Sequence, residues 1–294
     1  MKQAILITAY HQMDLLRKII AFFDDDFDIY IHVDKKCKEY YGDIATERVH
    51  IYSKYRIYWG SEYHLFAIMF LVSEAHKNGP YSYYHLITGN DFPIKPLSEF
   101  KSFFSENNHT NYLEYYKLPR PSWPNEGGLG RIKYFWIGNQ WCDTRKHSRI
   151  TNLLLKIQRK LGVRRKFVCR FPIVYGGGTY WSLTQDAIER LLANKCDIRV
   201  MRFTHCSEEI FVHTMLMNNN DGLAFENDSL RYMKWKEHSS SPEVLGAESL
   251  ANILNVRGFF ARKVDIDVSS EIIDFFENKY DCSAAYPQQQ DCYR

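Results

Sequence analysis

Two carboxylates stand side by side at Glu208-Glu209, where a helical run to Met217 begins, and two cations stand side by side at Arg262-Lys263. A carboxylate can take a proton from a hydroxyl, and fixed cations can offset the charge on an anionic leaving group. Each pair also has a plainer use. Acids are common at helix starts for stability alone, and a lysine is ordinarily just exposed. Asp34 closes the apolar run Ile29-Tyr30-Ile31-His32-Val33, and Asp91 sits in Thr88-Gly89-Asn90-Asp91-Phe92-Pro93-Ile94. A carboxylate at a strand end equally caps the turn after it. The Asp-x-Asp at Asp265-Ile266-Asp267, a pattern that can hold a divalent cation, comes late in the chain. The 11 histidines form no HExxH or other metal spacing. Gly176-Gly177-Gly178 lacks the frame of a phosphate loop, so these glycines read as allowing close backbone approach to a ligand.

The elements that must position these residues come from periodicity. Ala4–Ala9, Ile29–Asp34, Val49–Tyr52 and Tyr84–Thr88 are short apolar runs that predict strands. Between them, Leu15 to Phe23 and Ser61 to His76 repeat at helical spacing. Strand–helix alternation from the first residues onward predicts an α/β fold with a mainly parallel sheet. Ligands in such sheets gather beyond the carboxyl ends of the strands, at Ala9-Tyr10-His11, His32-Val33-Asp34 and Thr88–Ile94. The second half predicts strands at Asn111–Tyr116, Thr179–Leu183 and Leu230–Trp235, with a loop over Pro119–Gly130. Helices are expected from about Ser148 to Leu161, from an N-cap at Thr184, and from Glu208 to Met217. No repeat or linker divides the chain, so one domain is expected over 1–280: a nucleotide-binding half at about 1–106, a catalytic and acceptor half at 107–280, and a poorly ordered tail at 281–294.

Composition narrows the function classes. The 294 residues are 16% aromatic, which suits stacking on flat ligands and equally suits an aromatic core. A net charge of +3 argues against a dedicated nucleic-acid binder. Seven cysteines, odd in number and without CxxC, point to neither a zinc ribbon nor a secreted disulfide framework. The N-terminus meets polar residues too early for a signal peptide, and no apolar run is long enough to span a bilayer. A cytoplasmic protein, soluble or peripheral on the inner face of a membrane, is the expectation.

Seven blocks, in order, make the chain similar to glycosyltransferase family 14, the core-2/I-branching β-1,6-N-acetylglucosaminyltransferases and peptide O-xylosyltransferases. They are Ile31–Asp34, Trp59-Gly60, Thr88–Ile94, Gly177–Thr184, Ser207–Phe211, Arg231–Trp235 and Phe260–Lys263, within about Ile5 to Asp267. The resemblance implies a GT-A-like single domain and inverting, metal-independent transfer of a sugar from a UDP-sugar to a glycan hydroxyl. Glu209 matches the family's catalytic base and is favoured over Glu208. Lys263 matches its diphosphate-binding lysine, with Arg262 as helper, and Asp34 its uridine contact; His11 and Asp91 join the donor side, Asp91 chiefly bracing its turn. Trp235 is similar to the acceptor-stacking tryptophan and Glu114 to the acceptor-hydroxyl glutamate. Arg131, Lys133 and Trp181 complete the acceptor set. A second basic diphosphate contact has no counterpart between Trp235 and Leu250, where His238 or the hydroxyls of Ser239 to Ser241 stand instead.

The resemblance thus implies a UDP-sugar transferase of surface polysaccharide or oligosaccharide synthesis, bacterial in type, with GlcNAc the favoured donor sugar and no cofactor. A xylosyltransferase-like enzyme and a non-catalytic carbohydrate-binding protein on the same fold are the alternatives. One segment stands apart: no acid occurs from Thr144 to Gln185, while ten Lys and Arg fall between Arg145 and Arg170. Within it, Ile150, Leu153, Leu154, Ile157 and Leu161 share one helix face. A basic amphipathic helix can lie on an anionic membrane, near a lipid-linked acceptor. A surface helix more often buries such a stripe in its own domain, and that is the expectation here.

Overall fold

The structure is a computed structural model and describes residues 1–146, 148–165, 171–193, 197–237 and 239–280. Lys166, Arg170, His238 and the tail after Tyr280 lie outside the described residues.

The first half alternates strand and helix: β1 (Gln3–Ala9), α1 (Met13–Phe22), β2 (Phe27–Val33), β3 (Val49–Tyr52), α2 (Tyr63–Asn78), β4 (Tyr83–Thr88), β5 (Phe92–Pro93) and α3 (Leu97–Glu106). The second half is more broken. It runs β6 (Thr110–Leu113), β7 (Tyr116–Lys117), short turns α4 (Pro124–Gly127) and α5 (Gly130–Lys133), α6 (Ser148–Lys160), β8 (Tyr175–Gly176), β9 (Trp181–Thr184) and α7 (Gln185–Ala193). It ends with α8 (Phe211–Met217), β10 (Ala224–Glu226), β11 (Arg231–Met233), α9 (Leu250–Leu254), β12 (Phe260–Arg262) and α10 (Ser270–Tyr280).

Seven strands form one twisted sheet in the order β10-β6-β9-β4-β1-β2-β3. All neighbours are parallel except β9, which runs antiparallel to both β4 and β6. This is the mixed α/β architecture the alternation predicts. Every residue of β1 is buried, as expected of a strand with both faces covered. Its alternate side chains feed two cores. Ile5, Ile7 and Ala9 join Ile31, Ile87, Phe100 and Phe260 on one face, while Ala4 and Leu6 join Leu65, Leu71, Trp181 and Ile210 on the other. Polar seams fix the register. His85 in β4 bonds Gln3 Oε1 at 2.7 Å and Ser182 Oγ at 2.8 Å, tying β1, β4 and β9 together. Burial drives the pKa of His85 well down, so it works as a neutral tie. Asn111 does the same further out, accepting from the Thr184 backbone N–H at 2.9 Å and donating to Ala224 O at 3.0 Å.

Several boundaries differ from the sequence expectation, each for a local reason. The strand expected at Asn111–Tyr116 stops at Leu113, because the Asn227 side chain takes both backbone groups of Tyr115, at 2.8 and 3.0 Å. The helix expected from Glu208 begins only at Phe211. Cys206 is left-handed (φ 46), Ser207–Glu209 is a 3-10 turn, and Ile210 (φ −126) breaks the run. Thr184 does cap α7, accepting from Ala187 N at 3.3 Å. A second sheet, β11-β12-β5, has no counterpart in the sequence expectation; it brings Arg231–Met233 and Phe260–Arg262 parallel to each other.

Trp181 must be corrected. The resemblance puts it among the acceptor contacts, but it points from β9 into the core and is 1% exposed. Trp181→Ala should lower stability by about 3–5 kcal/mol, the cost of emptying a large core site. Thermal melts of Trp181→Ala and the milder Trp181→Phe test this; an unshifted midpoint for the alanine variant would return the residue to the surface.

Candidate active site

Three strand ends and three loops meet at one edge of the large sheet. The Asp34 backbone N–H donates to Ala9 O at 2.8 Å, which joins the ends of β1 and β2 beside His11. Asp34 is 3% exposed, and its two oxygens accept from the Lys36 N–H at 2.8 Å and the Ile57 N–H at 3.3 Å. The turn after β4 is closed by Asp91, which is fully buried and accepts from the Thr88 N–H. Arg262, at the end of β12, reaches into that turn. It pairs with Asp91 at 3.2 Å, bonds the Thr88 hydroxyl and lies over the Tyr180 ring at 4.9 Å.

Arg262 is therefore committed to the fold, and its neighbour is the free cation. Lys263 is half-buried and its ammonium has no ion-pair partner among the described residues. Burial, then the charges of Arg262 and Arg145, push its pKa down against the opposing pull of Asp265. His11 is lowered as well, by burial and by Lys263. A half-buried ammonium whose pKa is lowered by burial and by neighbouring cations gains from an added anion.

Arg145 is the member that sequence reasoning missed. It lies far from Lys263 in the chain, so no local motif could reveal it; the acid-free, arginine-rich segment was the only signal. Its guanidinium is forked onto Asp143, at 2.6 and 3.1 Å, and lies over the Trp59 ring at 4.8 Å. Of the residues weighed for that second role, Ser239 donates its hydroxyl to Ser241 O at 2.6 Å, and His238 lies outside the described residues.

Asp265 also departs from expectation, since it lies beside His11 and Lys263 despite its late place in the chain. Its carboxylate accepts from the Gln12 side chain and from the N–H groups of Asp267 and Val268, at 3.1 and 3.3 Å. Both oxygens are thus used in bracing two loops against each other.

The carboxylate pair sits across the cleft on the loop 203–210. Gly60 O accepts from Cys206 N at 3.0 Å and from Asn139 Nδ2 at 2.9 Å, which anchors that loop. Gly60 has φ +78, and a Cβ there would come within 2.4 Å of the His205 ring; this is the physical content of the Trp59-Gly60 block. The two glutamates part company. Glu208 is nearly enclosed and faces His64 Nδ1 at 3.3 Å; His64 Nε2 in turn meets the Thr8 hydroxyl at 3.1 Å. Glu209 keeps 30% of its side chain exposed and pairs with Arg131 on α5. Burial pushes both carboxyls up, but the hydrogen bond and charge of His64 bring Glu208 below its ordinary value. Glu209 stays raised, because burial and the charge of Glu208 outweigh the pull of Arg131. No helix starts at Glu209, so no helix dipole lowers its pKa, and burial decides the sign.

Glu114 and the glycines complete the wall. Gly177 N–H donates to Glu209 O at 3.0 Å, and a Cβ on Gly177 would sit 1.8 Å from Glu114 O. The expected ligand approach at this glycine is corrected to approach by the chain's own backbone. Glu114 accepts from the Tyr116 hydroxyl. Arg131 lies over the Trp123 ring at 4.4 Å. Lys133 instead turns to Glu126 at 3.2 Å, and Trp235 is 54% exposed. Tyr180, under Arg262, also feels the charge of Glu209, so both groups lie within electrostatic reach of one ring. For a metal, the one donor group found among the described residues is Cys206, Glu208 and Glu209, within 4.8 Å of one another. Both carboxylates there are already partnered, and burial pushes the Cys206 thiol up.

Gly177→Ala should leave little folded protein, since backbone must move to admit the methyl group. Gly178→Ala, whose Cβ would meet only the flexible end of Glu114 at 3.2 Å, should fold normally. Soluble yield and melting temperature of the two variants check the contrast; equal behaviour would remove the close contact.

The sequence pattern described as Core-2/I-Branching enzyme matches residues 4–254, and the chain belongs to that family. It is 20% identical over 293 residues to xylosyltransferase 2 of Rattus norvegicus, a match taking in 90% of this chain and 32% of the rat protein. Xylosyltransferase 2 of Mus musculus matches at the same identity, with 31% of its length covered. The chain thus spans about a third of the length of these relatives. Among solved structures, S. aureus TarS 1-349 aligns with a TM-score of 0.28 and 13% identity, over 38% of this chain and 35% of that one, a likeness too slight to carry an argument.

Proposed function

We propose that this member of the core-2/I-branching family is an inverting, metal-independent glycosyltransferase that moves a sugar from a UDP-sugar to a glycan hydroxyl. The observation that carries the reading is a reachable carboxylate with a raised pKa, Glu209, together with the Lys263 ammonium, which has no ion-pair partner among the described residues. Glu209 removes the proton from the acceptor hydroxyl as its oxygen attacks the anomeric carbon. The bond from that carbon to the diphosphate breaks on the opposite face, which inverts the centre. The proton ends on Glu209, and the electron pair leaves on UDP, opposite Lys263 and Arg145. Arg262 acts from behind, holding Lys263 in position. Asp34 and His11 border the nucleoside end, while Asp91 keeps the intervening turn closed. Glu114, Arg131 and Trp235 orient the acceptor, the exposed indole offering a sugar face somewhere to stack. GlcNAc is the favoured donor sugar and surface glycan synthesis the setting; the likeness to xylosyltransferase 2 favours xylose as a second reading. UDP release with a panel of donors decides between them.

Glu209→Gln should cut turnover about a hundredfold or more, the range for loss of a general base, while UDP still binds. Glu208→Gln should be much milder. The base must be ionised, so activity falls as pH drops through its raised pKa. Loss of the Arg131 charge in Arg131→Met should move that acid limb to higher pH. A dead Glu208→Gln beside an active Glu209→Gln would shift the base by one residue.

Transfer should survive EDTA, because side-chain cations offset the diphosphate charge. Lys263→Ala and Arg145→Ala should each weaken UDP binding by about 1.5–3 kcal/mol, as for a charged hydrogen bond. Calorimetry showing unchanged affinity in both, or chelator inhibition rescued by manganese, would overturn the cation assignment.

A further inference from the structure

Helix α6 reverses the usual arrangement of an amphipathic surface helix. The face turned to the body is Thr151, Leu155 and Gln158. Leu155 packs on Tyr134 and Trp136, and the Gln158 amide takes both backbone groups of Phe135, each at 2.8 Å. The aliphatic stripe expected to be buried faces water instead: Ile150 is 62% exposed, Leu153 58%, Ile157 45% and Leu161 71%. The neighbouring segment adds exposed Phe135, Ile137 and Trp141, so seven of the fourteen exposed large apolar side chains among the described residues fall within 135–161. A patch this concentrated marks an interaction site rather than ordinary surface.

Charge identifies the occupant. At about 100° per residue, Arg149, Lys156 and Lys160 cluster within ~40° of one another, on the flank of the stripe away from the buried face. None of the three has an ion-pair partner among the described residues. An aliphatic stripe edged by unpaired cations fits a surface that is apolar below and anionic above. It does not fit a second copy of itself, since a two-fold pairing through the stripe would bring the cationic flanks of both copies into one interface.

We propose that α6 docks this chain on an anionic lipid bilayer, its aliphatic stripe entering the acyl boundary and Arg149, Lys156 and Lys160 meeting the headgroups. The contact lies next to the catalytic cleft. Arg159 on α6 reaches Glu126 at 3.4 Å, Glu126 pairs with Lys133, and α5, which carries Lys133, also carries Arg131 to Glu209. Docking there turns the acceptor side of the cleft toward glycans carried on lipid.

Vesicle flotation of the full chain tests this without reference to sugar transfer. Protein should float with phosphatidylcholine vesicles containing about 30% phosphatidylglycerol at low salt, and poorly with pure phosphatidylcholine, since basic residues gain about fivefold in partitioning each near an anionic surface. Added salt should release it. Ile150→Ser, Leu153→Ser, Ile157→Ser together should abolish flotation with an unchanged melting temperature, because those side chains support no core. Arg149→Glu, Lys156→Glu, Lys160→Glu should abolish the anionic preference. Absence of flotation at low salt, flotation of both variants like the parent, or equal binding to both lipids would overturn the proposal. So would a dimer in sedimentation that the serine variant disrupts, which would give the face to a second copy.

Discussion

The buried pair between Arg262 and Asp91 is the constraint on which the cleft depends. Two charges withdrawn from water are costly unless they are matched, and here one guanidinium nitrogen serves both Asp91 and the Thr88 hydroxyl while the Tyr180 ring lies against the group; Nε stays buried without a hydrogen-bond partner. The match locks the end of the small sheet onto the turn after β4. Lys263, one residue on, is thereby projected beside His11, without an ion-pair partner among the described residues. Asp265 and Gln12 brace the same junction two residues further along.

The opposite wall uses burial in a complementary way. Adjacent carboxyls cannot both ionise cheaply in a low-dielectric site, and their environments split the burden. His64 takes Glu208 and keeps it enclosed and ionised. Glu209 is left partly open, held by a single arginine and pushed toward higher proton affinity. Both arrangements depend on the loop that Gly60 and Asn139 pin down, so the acid–base character of the site is set by packing some way from the carboxylates themselves.

What was legible in the sequence tracks how local the cause is. The strands of the first half were readable because both faces are buried, and a short apolar run says so directly. Val49–Tyr52 needed no adjustment. The second half was harder, since its boundaries are set by distant partners: Asn227 ends the strand after Leu113, and Gly60 shapes the turn before Phe211. Of the residues singled out, Glu209 and Lys263 lie in the ordered blocks while Glu114 and Arg131 lie outside them; the fold pairs Arg131 with Glu209 and sets Gly177 between Glu209 and Glu114. Trp181 misled because strand alternation does not say which face is water. Arg145 escaped because its neighbours come from other parts of the chain. The stripe on α6 was visible as a pattern, but its direction depended on Leu155 and Gln158 finding Tyr134, Trp136 and Phe135.

Gly177 has a consequence for how such an enzyme can diversify. One residue bonds the backbone of Glu209 and abuts the backbone of Glu114, so the two segments are a single mechanical part. Insertions or deletions in either segment would displace the other, and selection for a new acceptor cannot work by changing loop length there. Novelty has to enter through side chains rather than backbone, at exposed positions such as Trp235. Lineages built on this cleft should therefore hold their backbone spacing nearly fixed between Glu114 and Glu209 while their rim residues drift freely.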